Sequence, residues 1–313
     1  MTQLDPFNAV KNIWLHRFAV FAAGWTLFLI VAGALVTSND AGLSVPDWPL
    51  SYGTWMPPMV GGIFYEHGHR MIATVAGLLT IILAVWLWRA EQRRWVKILG
   101  AAALGSVIVQ GVLGGLTVLY LLPAPVSVSH ACLAQLYFCM MVSLALVTSP
   151  RWQAQNARRG GGGLDEGSPS LRHLCIAVNS AIFLQLALGA AFRHKAFGIV
   201  PHLAGAALVT VLVFWVMARV MTRQASEPRL AGWALALNGL LMLQLILGAA
   251  SYWIRTINNP IPQPLPPTVA LTVAHVATGA MLLAVSVVLT IQVYSLLSPP
   301  RTVAQKSGVA VPT

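Results

Sequence analysis

The stretch 184-LQLALGAAFRHKAFGIVPHLAGAAL-208 decides the fold. It leaves one apolar run, turns through the short polar segment RHKAFG, and enters a second apolar run headed by His202. A Gln followed by small residues closes the first run, and a His followed by small residues opens the next. The same pattern recurs in 109-VQGVLGGLTV-118 with 130-HACLAQL-136, and in 243-LQLILGAAS-251 with 275-HVATGA-280. A degenerate copy without the Gln, 28-FLIVAGALV-36, precedes 69-HRMIATVAG-77. The chain is therefore predicted to be four helical hairpins in series.

Working outward from these hairpins, runs long enough to cross a bilayer (about 20 residues) occur at 17–37, 67–88, 96–121, 127–148, 172–192, 199–220, 230–252 and 269–296. The fold class predicted is all-α integral membrane protein, eight transmembrane helices in two pseudo-symmetric four-helix bundles. His69 to His202 spans 133 residues, Gln110 to Gln244 134 and His130 to His275 145, so spans one to four and five to eight are related halves. Each half has an even number of spans, so the halves run parallel and not inverted. This divides the chain into an N-terminal bundle at 1–150, a Gly-rich linker at 151–171, a C-terminal bundle at 172–298 and a tail at 299–313.

Composition agrees. Of 313 residues 57% are hydrophobic and 9% charged, with a formal net charge of +11. A soluble globule carries roughly 25% charged residues, and a nucleic-acid binder concentrates its basic residues in a patch; here they are strung thinly, so neither class fits and no nucleic-acid partner is expected. The basic excess is a topology signal instead. The N-terminus, the even loops and the tail hold fifteen of the nineteen Lys and Arg, whereas the odd loops hold Arg193, Lys195 and Arg255, and Arg70 opens the second span on that same side. The positive-inside rule then puts both termini in the cytoplasm and the chain in the cytoplasmic (inner) membrane. The first run is too long, and lacks the small-residue cleavage site, for a removed signal peptide. Cys132, Cys139 and Cys175 all fall inside spans and read as small buried hydrophobes.

The four histidines carry the chemistry. His69, His130, His202 and His275 head the even spans on the outer face. Ionisable groups inside spans are costly and mark ligand or proton sites, and imidazole is a frequent metal ligand. Zinc would want four converging ligands; two His per bundle suit the two faces of a six-coordinate haem iron. The small residues after each His, and the Gly pairs of the odd spans, serve close helix packing, including the GxxxG of Gly111 and Gly115, or leave room for a flat ligand. Arg70, Arg193, Lys195 and Arg255 run against the positive-inside trend and are candidate partners for haem propionates, or ordinary loop charges.

The halves differ. In 64-FYEHGHRM-71, Glu66 stands three residues before His69 and shares its helix face; the other His segments hold no acid. Glu66 is a candidate base, or counter-charge to a developing cation, or a helix N-terminal acid favoured by the macrodipole. His67 points about 160° away from His69. The long first outer loop, with Asp40, Asp47, Trp48, Tyr52 and Trp55, could cap this site.

Eight spans, four outer-face His, the Glu-x-x-His of 66-EHGH-69 and the loop 41-AGLSVPDWPLSYG-53 together resemble the haem A synthase family of bacteria and mitochondria. The resemblance implies an oxidoreductase that converts the C8 methyl of haem O to a formyl group, giving haem A for terminal oxidases. It implies that His69 and His130 flank substrate haem O, that His202 and His275 ligate a haem B cofactor, and that Glu66 is the essential acid. Implied partners are membrane lipid, a haem O synthase, terminal oxidase assembly, an electron acceptor of unknown kind and a second copy of the chain. Many bacterial members carry Cys pairs in outer loops, and this chain has none there. A haem with His on both faces leaves no open iron position, so either one His releases or a methyl hydrogen or electron is abstracted and water adds. Two other functions fit the four His: a di-haem electron carrier of the quinol-linked cytochrome type, and a haem transporter using Gln110, Gln185 and Gln244 along a path.

Overall fold

The structure, a computed structural model, describes the backbone of residues 6–157, 163–224, 227–257 and 264–298, and the side chains of these stretches save 6–12 and 155–157. The expected tail at 299–313, with Arg301 and Lys306, lies outside the described residues, as do Arg158 and Arg159 of the linker and the side chain of Lys11.

Among the described residues the chain forms nine α-helices and no extended sheet: α1 Pro6–Ser38, α2 Gly61–Ala90, α3 Arg94–Leu119, α4 Ala124–Thr148, α5 Pro150–Ala157, α6 Leu171–Arg193, α7 Val200–Arg223, α8 Pro228–Ile257 and α9 Pro266–Leu296. All but α5 are long and apolar enough to cross a membrane, because lipid offers no partner for an open backbone N–H or C=O and a helix satisfies its own. Several helices run past the apolar windows in the sequence. They stop where chemistry stops them and not where hydropathy falls: α4, α7 and α9 begin at prolines whose missing N–H costs nothing in a first turn.

Each set of four spans closes on itself. Helices α1 to α4 contact one another in ring order, α6 to α9 do the same, and the two sets meet where α1 and α4 pack on α9 and α4 packs on α6. Burial follows: 61% of the apolar window of α9 and 50% of that of α4 lie inside the protein, against 17% for α3, which faces lipid. Lipid tails are as apolar as Leu, so packing and interhelical hydrogen bonds, at roughly 0.6 kcal/mol each, hold such helices together. Examples are Thr80 Oγ1 with Tyr137 Oη at 2.5 Å, Trp25 Nε1 donating to the Ile72 carbonyl at 3.0 Å and Asn179 Nδ2 donating to Thr290 Oγ1 at 2.8 Å. Leu83, Leu87, Tyr137 and Met141 fill the core of the first set, and Val213, Leu237 and Leu289 that of the second.

The described parts of the linker hold regular contacts. It opens with α5, and fully buried Asp165 caps α6 by accepting from the Leu171 and Arg172 amides at 2.7 and 3.0 Å. The backbone on either side of Leu164 pairs with Ser298, the last described residue: the Asp165 amide donates to the Ser298 carbonyl and the Ser298 amide to the Gly163 carbonyl.

Candidate functional site

The four histidines sit near the starts of α2, α4, α7 and α9, and each imidazole rests on a glycine of the helix before it. A methyl placed on Gly33, Gly114, Gly189 or Gly248 would lie 3.1, 3.3, 2.9 or 2.9 Å from Cε1 of His69, His130, His202 or His275 respectively. Contacts under 3.0 Å are essentially never made by a real Cβ, so Gly189 and Gly248 let their rings in; at Gly33 and Gly114 a methyl would be tight, and the ring would have to give by a few tenths of an ångström. Sequence reading took these glycines as a general small-residue stripe; their fixed pairing with one ring each emerges only when the helix faces are known.

The glutamines complete three of the four pairs. Four residues before the glycine, Gln110 Nε2 donates to the His130 carbonyl at 2.9 Å, and Gln185 Nε2 donates to the His202 carbonyl at 2.8 Å and reaches Nδ1 of the same ring at 3.0 Å. Gln244 Nε2 meets Nε2 of the His275 ring at 3.3 Å. In α1 the corresponding residue is Leu29. Buried polar atoms are nearly always paired. Yet six of the twelve buried side-chain polar atoms without a partner, among the described residues, belong to this set: Nδ1 of His69, His130 and His275, and Oε1 of Gln110, Gln185 and Gln244.

These pairs can hold a metal from two sides. The rings of His202 and His275 stand 6.3 Å apart between centroids. Imidazole–metal bonds of about 2 Å, with about 1 Å from nitrogen to ring centre, put two trans imidazoles about 6 Å apart. Among the described residues no three or more His, Cys, Asp or Glu group as a metal cluster; each half offers two imidazoles, a number that haem iron can take. All three cysteines are free.

Beside His69 the first outer loop folds down onto α2. Glu66, 4% exposed, accepts from the Val45 amide through Oε2 at 2.8 Å and from Arg70 Nη2 through Oε1 at 2.7 Å. Arg70 also donates through Nη1 to the carbonyls of Asp47 and Leu50 at 2.8 and 2.9 Å. Thus Arg70, a candidate propionate partner by sequence, spends its guanidinium on Glu66 and the loop. The i,i+4 spacing of the pair was the signal available for this. His67 points away from His69, as the helical period requires, and its Nδ1 meets Ser51 Oγ at 2.8 Å. Asp47 Oδ1 and Oδ2 accept from the Tyr52 and Gly53 amides. The Gly53 bond chiefly, then the Tyr52 bond and the charge of Arg70, hold the Asp47 carboxyl below the usual range against partial desolvation.

Gly115, read from sequence as one end of a helix-packing GxxxG, faces the Trp48 indole: a methyl there would lie 2.7 Å from Trp48 Cδ2, while Gly111 meets nothing within 4 Å. Gly115 thus seats the loop. The remaining outer cations divide. Arg193 Nη2 donates to the Thr37 carbonyl at 2.5 Å, tying α6 to α1, and with Arg255 lines a cleft beside Asp40, Thr268 and Thr272. Lys195 is exposed in the turn after α6.

Comparison with known proteins shows the family. A family profile described as COX15-CtaA, cytochrome oxidase assembly protein, matches residues 16–62 and 59–201, a range that holds Glu66, His69 and His130. The chain is 31% identical over 259 residues to a protein of Symbiobacterium thermophilum named Heme A synthase, covering 74% of this chain and 82% of that one. Heme A synthase of Lysinibacillus sphaericus is 29% identical over 189 residues, covering 58% of this chain and 59% of the relative. That of Geobacillus kaustophilus is 32% identical over 106 residues, about a third of each. With eight helices able to cross a membrane and these matches over more than half its length, the chain belongs to the COX15-CtaA family of cytochrome oxidase assembly proteins.

Proposed function

We propose that this chain is a haem A synthase, an oxidoreductase that converts the C8 methyl of haem O to the formyl group of haem A. The observation that carries the reading is the asymmetry between two otherwise like sites. Both halves offer two imidazoles seated on glycine, but only His69 has a buried carboxylate three residues away and a folded loop above it. A site that merely passes electrons has no use for either.

In this reading His69 and His130 flank the substrate, and His202 and His275 hold haem B, which supplies a redox centre for the electrons leaving the substrate. Two successive two-electron oxidations, each taking its oxygen from water and passing two electrons, one at a time, through the second site to an external electron acceptor with release of two protons, take the methyl to an alcohol and then to a gem-diol, which loses water to give the formyl. Glu66 acts at the first half. Each carboxylate oxygen has one donor, Arg70 or the Val45 amide, so lone pairs remain to accept a proton from water. The same fixed negative charge favours a cation developing on the methyl carbon. Trp48 on Gly115, and the Arg70 bonds to the loop carbonyls, keep the loop closed over this end. Arg193 and Arg255 offer guanidinium groups for propionates of the second site. The basic loops orient the chain in the cytoplasmic membrane with both termini inside, where a haem O synthase upstream and terminal oxidase assembly downstream are its partners.

Pigment extraction from the purified full-length protein tests this. Haem B together with haem O or haem A is expected. Haem B alone would replace the synthase reading with a di-haem electron carrier.

A further inference from the structure

The first outer loop is tied to the protein along one part only. From Val45 to Thr54 it is held by Glu66 and Arg70, by the Ser51–His67 contact, by its own Asp47 and by the seat of Trp48 on Gly115. From Trp55 to Val60, where the chain turns into α2, the ties lapse. Among the described residues the one hydrogen bond that Trp55 to Met59 make is the Val60 amide donating to the Pro58 carbonyl. This untied stretch is apolar and open: Trp55 is 80% exposed, and Met56, Val60 and Phe64 are each more than half exposed. Residues 48–65 include no Asp, Glu, Lys, Arg or His. The flanking charges of Asp47, Glu66 and Arg70 are spent on loop amides, loop carbonyls and each other. A continuous apolar patch of this kind marks an interaction site.

The depth of the patch says what covers it. A methyl on Gly68 would lie 4.0 Å from Cε of Met59, so the stretch folds back along α2 instead of standing off it. Gly68 is seven positions into the helix, about 10 Å from its start at 1.5 Å per residue. It stands at the outer end of the apolar run 67–88 of a helix that has 30 residues, where hydrocarbon takes about 20. Met59 therefore meets α2 where the helix enters hydrocarbon. Phe64, four positions further out, lies about 6 Å above that point, within the headgroup layer. Trp rings and apolar side chains are at home at this level. We propose that Trp55, Met56, Met59, Val60 and Phe64 form an interfacial anchor that inserts into the outer lipid leaflet. The loop over the first site is then fastened to the bilayer on one side and to α2 and α3 on the other. The anchor does not depend on the synthase reading.

Fluorescence quenching in nanodiscs of phosphatidylcholine and phosphatidylglycerol tests this on the full-length protein. With Cys132, Cys139 and Cys175 replaced by Ala, an environment-sensitive fluorophore is attached at Met56→Cys or at Trp55→Cys. Lys195→Cys, exposed in the turn after α6, is the reference. Both anchor labels are expected to emit to the blue of the reference and to be quenched by lipid brominated high on its acyl chains. They should also resist aqueous iodide several-fold better than the reference. Iodide quenching equal to that of the Lys195→Cys label overturns the proposal. So does shielding from iodide without quenching by brominated lipid, which would put protein over the patch, a second copy of the chain included. The cysteine-containing protein gives a second, label-free measurement. Brominated lipid should remove more tryptophan emission from the unaltered chain than from Trp55→Phe, and an equal loss from both overturns the proposal as well.

Discussion

Replacing Gly248 with Ala separates what the protein needs empty from what it needs loaded. The new methyl would lie 2.9 Å from Cε1 of His275, and the same change at Gly189 puts it 2.9 Å from Cε1 of His202. Relaxed carbon–carbon contact is about 3.5–4.0 Å, so the ring must withdraw by roughly 0.6–1.1 Å. Without a ligand this is cheap, since the imidazole is the free end of a side chain, and Ala gains about 1 kcal/mol over Gly in a helix. With haem bound the ring cannot swing, because metal–nitrogen distances tolerate only about 0.2 Å. The overpacking then costs roughly 1–3 kcal/mol, which at 1.4 kcal/mol per decade weakens haem B retention about 5- to 140-fold. Transfer of haem B from each variant to excess apomyoglobin, followed optically, measures this against thermal unfolding of the haem-free protein. Gly189→Ala and Gly248→Ala should lose haem B fast with unfolding unchanged or raised. Gly33→Ala and Gly114→Ala, whose methyls would sit at 3.1 and 3.3 Å, should disturb the first site less. Gly239→Ala in α8, with nothing within 4 Å, is the control. If Gly248→Ala holds haem B as Gly239→Ala does, the seating argument fails.

Two further outcomes are expected. Glu66→Gln should keep both haems, since no His ligand changes, but stall oxidation, so that extracted pigment shifts from haem A to haem O; normal haem A production would remove Glu66 from the chemistry. Asp47 makes the first loop acid-sensitive: its folded carboxyl titrates below the ordinary value of about 3.9. The stabilisation it lends is therefore complete above that value and lost as pH falls through the lower folded one. Proteolytic cleavage of the loop should accelerate only under that acidification, and Asp47→Asn should be cut readily at neutral pH; equal protection of both proteins at neutral pH would exclude the role.

The eight spans were legible because hydrocarbon imposes length and apolarity on any helix that crosses it, and the histidines were legible because repetition singled them out. Their partners were not. Whether Gly115 packs a helix or seats Trp48 depends on where a 22-residue connection between α1 and α2 folds back, and neither the indole nor the glycine announces the other. Arg70 could be read as an anion partner from its side of the membrane, yet Glu66 one turn earlier and the carbonyls of the loop already occupy it. Gln110, Gln185 and Gln244 were visible as repeats, but their bond to the histidine of the following helix needed the helix pair. Asp165, the cap of α6, stood unremarked in a segment read only as a Gly-rich linker, because a lone acid six residues before a helix does not announce that its chain turns back onto the first amides.

The double attachment of Glu66 imposes a sequence of events on substrate entry. One carboxylate oxygen is held by the loop amide of Val45, and the Arg70 that holds the other also grips the loop at Asp47 and Leu50. Lifting the loop strips the acid of a donor and frees the guanidinium in the same movement. On the proposed function, the acid would be assembled by the act of closing, so a porphyrin admitted under a raised loop would meet no fully formed reaction site until the door is shut behind it.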